Sequence, residues 1–273
     1  MVKLDEPPVV ATVEAMECVV RIECTGPGAG DLMEQVERAW TRCRVPDGLP
    51  PDITLPVSIA SLAEESTIPD AGPSGEMLAE ALEALTQLVT IEAITWHAGA
   101  LLMLHAAALA DPTNGRTVLF VGPSGMGKTT VAQRLGQQLG YVTDETAALT
   151  ATRRLLRYPK PLSIIAGDGA KEQVSPDELG LVAAPDDLEI AAVVLLDRRT
   201  DALPFLEPVQ SAEAVALLAE HTSHLADLPD PLRRLGALCD SVGGALRATY
   251  RDTDQLGALV VQLLGAGDPG VSS

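Results

Sequence analysis

The sequence predicts an α/β protein, a mixed sheet with flanking helices preceded by a smaller α+β region. Three observations lead there. Arg116-Thr-Val-Leu-Phe-Val121 is a short apolar run that leads into Gly122-Pro-Ser-Gly-Met-Gly-Lys128-Thr129, which fits G-x-x-x-x-G-K-[ST] at every position. Thr130 to Leu139 then places Val131, Leu135 and Leu139 on one helical face. Leu101 to Ala110 is apolar, and Asp111-Pro-Thr-Asn-Gly115 after it carries an Asn-Gly turn signal, so two neighbouring strands should form a hairpin.

The remaining elements come in chain order. Glu17 to Cys24 alternates, with Cys18, Val20, Ile22 and Cys24 on one face, which reads as a half-buried strand with core thiols. Thr25-Gly-Pro-Gly breaks it, and Asp31 to Cys43 reads as a helix with Leu32 and Val36 inward. Pro46 to Pro56 holds four prolines and is expected to be irregular. Pro69 to Gly75 is a second loop and a boundary, giving expected domains 1–74 and 75–267 and a loose tail over 268–273. Glu76 to His97 reads as a long helix, with Leu78, Leu82, Leu85 and Val89 on its apolar stripe. A short strand at Tyr141–Thr143 and a buried one at Glu189–Leu196 come next. Helices are expected over Gln210–Leu228 and Leu232–Val242, the second opened by Asp230 and Pro231. Ala245–Tyr250 and Asp252–Leu264 complete the chain as strand and helix.

Composition narrows the function classes. Of 273 residues, 47% are hydrophobic and only 3% aromatic, so a large core must be built from Leu, Val, Ala and Ile. A net charge of −19 argues against nucleic acid and against an anionic membrane surface as partners. No stretch approaches the roughly 20 apolar residues of a membrane span. The first residues lack the basic and apolar regions of a signal peptide, and four cysteines without C-x-x-C spacing suit reduced thiols in the cytoplasm.

The chemistry starts at the glycine-rich loop. A turn of this kind between strand and helix aims backbone N–H groups at one spot, at the positive end of the helix dipole. Residues Gly122, Pro123, Ser124, Gly125, Met126, Gly127, Lys128, Thr129 and Thr130 therefore form a phosphate cradle. Lys128 adds a point charge for the outer phosphates, and Thr129 offers a hydroxyl to Mg²⁺. ATP and Mg²⁺ are the expected ligands.

Phosphoryl transfer also needs a carboxylate that orients or deprotonates an acceptor hydroxyl. Asp144-Glu145 lies one helix and one short strand beyond Lys128, where the chain returns to the sheet edge. The pair suits a general base and a metal ligand, or else merely caps the next element. Ala191-Ala-Val-Val-Leu-Leu196-Asp197 resembles a Walker B segment that would add Asp197 to the metal, although Arg198-Arg199 could simply pair with it. His105, inside an apolar strand expected beside the loop strand, is either a satisfied core residue or a neighbour of the site. His221-x-x-His224 reads as a solvated helix face. Arg157-Tyr-Pro-Lys-Pro-Leu-Ser163 is an ordinary loop or a substrate-side contact through Tyr158 and Lys160. Arg233, Arg234 and Arg247 are candidates for a transition-state cation, and the sequence does not choose among them.

The stretch from His105 to Ser163 resembles the HPr kinase-like family. The likeness lies in a Leu-His-Ala strand, the Gly-Pro-Ser-Gly-x-Gly-Lys-Thr loop, Gly140-Tyr-Val-Thr-Asp144-Glu145, and Tyr158-Pro-Lys-Pro-Leu-Ser163. HPr kinase/phosphorylase is a protein-serine kinase on a P-loop fold related to phosphoenolpyruvate carboxykinase. Smaller kinase-like proteins of peptide natural-product clusters, including those acting on lasso-peptide precursors, carry these motifs in this order. The resemblance implies that Asp144 aligns with one of a pair of aspartates, one of which is the catalytic base, and that His105 supports it. Two departures stand out: the second carboxylate is Glu145, and the run from Lys128 to the pair is one residue shorter. The extra methylene moves that carboxylate by about 1.5 Å, enough to matter for in-line geometry.

The expectation is an ATP- and Mg²⁺-dependent kinase acting on a Ser or Thr hydroxyl of a peptide or protein, with Asp144, His105 and Lys128 catalytic and Thr129, Glu145 and Asp197 holding metal. A small-molecule kinase and a nucleotide-dependent binding module are the alternatives. The first 95 residues are left for substrate recognition, and homo-oligomer formation stays open.

Overall fold

The computed structural model describes residues 7–46, 48–63, 72–165, 171–201 and 203–265. In chain order the first elements are β1 (Val9–Ala15), β2 (Cys18–Cys24), α1 (Ala29–Ala39), β3 (Ile53–Val57), α2 (Ile59–Leu62) and α3 (Gly75–Trp96). The central part holds β4 (Leu102–Ala110), β5 (Arg116–Val121), α4 (Lys128–Leu135), β6 (Gly140–Thr143), β7 (Thr146–Leu149), β8 (Leu155–Leu156), β9 (Leu162–Ile165) and β10 (Lys171–Val174). The last part holds β11 (Val182–Ala183), β12 (Glu189–Arg198), β13 (Phe205–Pro208), α5 (Ser211–Glu220), β14 (Thr222–Ser223), α6 (Pro231–Ser241), β15 (Leu246–Tyr250) and α7 (Thr253–Gly265). The protein is thus mixed α/β, and among the described residues no helix is long and apolar enough to cross a membrane.

Two compact units divide the chain at Trp96/His97 rather than at residue 74, and the smaller one is discontinuous, taking in Tyr158–Leu179 as well. In that smaller unit β1 and β2 pair antiparallel from Val9↔Cys24 to Ala15↔Cys18. Met16 and Glu17 between them both have positive φ, the backbone a two-residue primed turn demands. The alternation of β2 puts Cys18 and Cys24 in the core, where burial pushes the Cys18 thiol up to about 12. The proline-rich stretch expected to be irregular contains β3, which runs parallel to β2. Pro56 is accommodated there because β3 is an edge strand, where a missing N–H costs no ladder bond. α3 packs its buried residues Ala81, Leu82, Leu85, Val89 and Ala93 within this unit, against α1, α2 and β10. The expected loop at Pro69–Gly75 lies partly outside the described residues, and the expected tail over 268–273 wholly outside them.

The larger unit carries the main sheet, in the order β11-β6-β4-β5-β12-β15-β13. β4 and β5 form the expected hairpin, Ala110↔Thr117 to Ala106↔Val121, while β5, β12 and β15 run parallel. The hairpin turn is wider than the Asn-Gly signal suggests. Asp111 and Arg116 close it, and the Asp111 carboxylate accepts from the Thr113 amide at 2.8 Å and the Thr113 hydroxyl at 2.6 Å. These bonds hold the Asp111 carboxyl below the usual carboxylate range. Gly115 closes the turn at φ +74°, and a Cβ there would sit 1.9 Å from the Asp187 carbonyl oxygen. Gly115→Ala is therefore expected to destabilise the protein by about 2–4 kcal/mol, lowering the melting temperature by roughly 5–12 °C. A calorimetric melt unchanged within 2 °C, about the size of a neutral surface substitution, would contradict this geometry.

The helix expected over Gln210–Leu228 stops at Glu220. Thr222 and Ser223 leave it to pair with Leu104 and Met103 of β4, because that edge of β4 would otherwise lie unpaired.

Candidate phosphate and metal site

The register of the main sheet brings the chemistry to one edge. Ala106 pairs with Val121, the last residue before the glycine-rich loop, and donates its amide to the Glu145 carbonyl at 2.9 Å. Val121 in turn pairs with Leu195, two residues before Asp197. His105, one step beyond Ala106, is level with Gly122. Its amide donates to the His221 carbonyl at 2.7 Å, so the end of α5 is tied to the same place.

The loop joins β5 to α4 through two left-handed glycines. Gly125 and Gly127 take φ of +83° and +87°, a region L side chains rarely adopt, and α4 begins at Lys128. The first intrahelical amide bond of α4 is Val131 to Gly127, which leaves the amides of Lys128, Thr129 and Thr130 directed out of the helix end. The Lys128 ammonium donates to the carbonyls of Gly122 at 2.7 Å and Pro123 at 3.1 Å. Burial pulls the Lys128 pKa down, and the nearby carboxylates Glu145 and Asp144 oppose this.

Thr129 and Asp144 meet directly: the Thr129 hydroxyl donates to Asp144 Oδ2 at 2.9 Å. A hydroxyl has one proton and two lone pairs. With its proton given to Asp144, Thr129 presents its lone pairs to a cation, so the donor set suits a hard divalent metal that takes only a few protein oxygens beside phosphate. The second Asp144 oxygen, Oδ1, accepts from the Tyr141 phenol at 3.1 Å. Sequence reasoning missed Tyr141. Glu145, half-buried, is the next residue along the chain.

His105 and His221 are both half-buried and both held below the ordinary imidazole value. For each, burial is the main cause and the Lys128 ammonium the next; Glu145 and Asp144 pull His105 the other way. Below about pH 6.5 the unfolded chain takes up these protons more readily than the folded one, so stability falls as pH drops. The melting temperature should decline between pH 7 and 5.5, and His105→Gln should flatten that slope. Identical slopes would place the imidazole outside this electrostatic environment.

Other expected site residues lie elsewhere. Asp197 sits at the correct sheet edge, but Arg199 binds its carboxylate at 2.7 Å and the Thr249 hydroxyl donates to it at 3.4 Å. Among the described residues no three His, Cys, Asp or Glu side chains gather as a metal group. Tyr158 belongs to the core of the smaller unit. It is fully buried, its hydroxyl bonds the Thr90 hydroxyl at 2.7 Å, and its ring centroid lies 6.4 Å from that of Trp40. Lys160 is also buried, donating to the Pro161 carbonyl at 3.2 Å. Both side chains are thus buried, where an exposed substrate-side contact was expected. His224 does not lie on a helix face with His221; it pairs with Asp227 at 2.9 Å. Arg247 is held by Glu207 and Glu213, Arg234 by the Ala100 carbonyl, and Arg157 by Asp186. A crevice of about 1140 Å³ opens past the ends of β12 and β15, lined by Arg198, Arg199, Leu203, Phe205 and Arg251 among others.

No family model matches the chain, and no curated protein matches it. Among solved structures, the Hpr(Ser) kinase/phosphatase from Coxiella burnetii overlays 60% of this chain and 93% of its own, at 14% identity and a TM-score of 0.33. The chemistry of the site rests on its own residues.

Proposed function

We propose that the protein is an ATP- and Mg²⁺-dependent kinase that phosphorylates a Ser or Thr hydroxyl of a peptide or protein. The observation that carries the reading is the bond from Thr129 to Asp144, which joins a phosphate-binding loop to a buried carboxylate of the kind phosphoryl transfer uses. The amides from Ser124 to Thr130 and the Lys128 ammonium hold the β- and γ-phosphates. On nucleotide binding, phosphate oxygens replace the Gly122 and Pro123 carbonyls as Lys128 acceptors. Thr129 and Glu145 would hold Mg²⁺, with Asp144 orienting the Thr129 hydroxyl. When bound, the metal offsets charge on the phosphate oxygens.

The acceptor oxygen forms a bond to the γ-phosphorus as the bond to the β,γ-bridging oxygen breaks, and ADP leaves with that electron pair. The acceptor proton passes to Asp144, whose oxygens each keep a lone pair beyond the one used by Thr129 or Tyr141. His105, kept neutral by burial and by Lys128, lines the acceptor side without adding a proton. The smaller unit recognises the acceptor, and a ribosomally made precursor peptide is the acceptor to try first.

Incubation with γ-labelled ATP, Mg²⁺ and a panel of Ser- and Thr-containing peptides should label a single residue of one of them. Label on a metabolite instead would shift the reading to a small-molecule kinase. ATP binding without transfer to any acceptor would leave a nucleotide-dependent binding module.

A further inference from the structure

Tyr141 stands inside Gly140-Tyr-Val-Thr-Asp144-Glu145 but has no role assigned to it by the sequence, yet its phenol is the second hydroxyl on the Asp144 carboxylate. Tyr141 is 1% exposed and Asp144 4%, so neither side chain can exchange this bond for water at little cost. In a regular strand, residues three apart point to opposite faces, and a tyrosine could not reach an aspartate at that spacing. β6 breaks the alternation. Its pairing to β4 runs Leu109↔Tyr141 and then Ala108↔Thr143, leaving Val142 as an extra residue with no partner opposite. Such a bulge bends the strand and re-aims its side chains. Asp144 follows in the bend just after β6, so phenol and carboxylate meet at this bulged strand end.

From this arrangement we infer that Tyr141 is a positioning residue for the metal half of the site. Its hydroxyl fixes the plane of the Asp144 carboxylate, so that Oδ2 holds the Thr129 proton and the Thr129 lone pairs face the cation. With the phenol removed, the carboxylate rotates about its terminal torsion, and the Thr129 hydroxyl loses its fixed acceptor. The effect is specific to the metal: the loop amides and Lys128, which grip phosphate, do not depend on it.

The inference rests on the kinase reading, and Tyr141→Phe tests it because the ring that fills the core stays. A fluorescent ATP analogue is titrated with Mg²⁺ and with EDTA, and the ratio of the two affinities measures the gain the metal provides. Tyr141→Phe should leave the EDTA affinity within about twofold and cut the Mg²⁺ gain by roughly tenfold, the usual cost of removing an outer-shell partner. The kcat for transfer should fall with an unchanged KM for the acceptor. In an Asp144→Asn background the same substitution should lower the Mg²⁺ gain no further, since both changes act through one carboxylate. A Mg²⁺ gain within twofold of wild type in Tyr141→Phe, or an additive loss in the double variant, would overturn the inference while leaving the kinase reading intact. Wild-type protein that binds no nucleotide would sink both together.

Discussion

Lys128→Ala is expected to lower phosphoryl transfer by about 1,000-fold, equivalent to roughly 4 kcal/mol of transition-state stabilisation. The ammonium is nearly buried, it donates to carbonyls of its own loop, and burial pulls its pKa down while two nearby carboxylates oppose this. A phosphate entering the loop therefore meets a cation already stripped of most of its water, where charge interactions are strong. Nucleotide affinity should fall as well, because the lysine touches phosphate before and during transfer. Lys128→Met keeps the aliphatic stem and separates lost charge from lost packing. Both variants should fail alike in turnover while the Met variant melts closer to wild type. Turnover within threefold of wild type in either would mean that this loop does not grip the phosphate that is transferred.

Asp144→Asn is expected to lower kcat by about 100- to 10,000-fold, the span of general base catalysis, with nucleotide affinity in EDTA within a few-fold. The amide matches the carboxylate in size but cannot take a proton. It also turns one of two acceptors into a donor. Thr129 and Tyr141 both offer hydroxyl protons to this side chain, so one of them must rotate away or face a like group. Single-turnover transfer read alongside nucleotide binding separates the steps. Unchanged transfer would remove Asp144 as the base and hand that role to Glu145.

The sequence makes the local parts of this site legible and hides the parts that depend on distant strands. The glycine-rich loop, the β4–β5 hairpin and the alternation of β2 are set by residues close together in the chain, and the structure contains all three. The β-bulge at Val142 leaves no signature in Gly140-Tyr-Val-Thr143, since it appears only when the strand is paired with β4. Tyr141 was invisible for that reason. Tyr158-Pro-Lys160-Pro reads as a surface segment because prolines and a cation usually lie outside. Its burial is decided by Trp40 and Thr90, far away in sequence. β3 escaped notice because proline count is a weak guide at a sheet edge, where only the neighbour's pattern matters. Asp197 ends an apolar strand as expected, but Arg199, two residues on, claims its charge.

The discontinuity of the smaller unit affects how the chain is made. A ribosome delivers residues in order, and a domain ordinarily closes once its last residue emerges. Here the N-terminal unit cannot close when Trp96 appears, since buried Tyr158 and the paired strands β9 and β10 belong to it. Trp40 and Thr90 wait, uncovered, while β4 to β8 are synthesised. Truncation at residue 96 would recreate that half-made state permanently, so an isolated N-terminal fragment should be sticky and poorly folded unless 158–179 is supplied in trans.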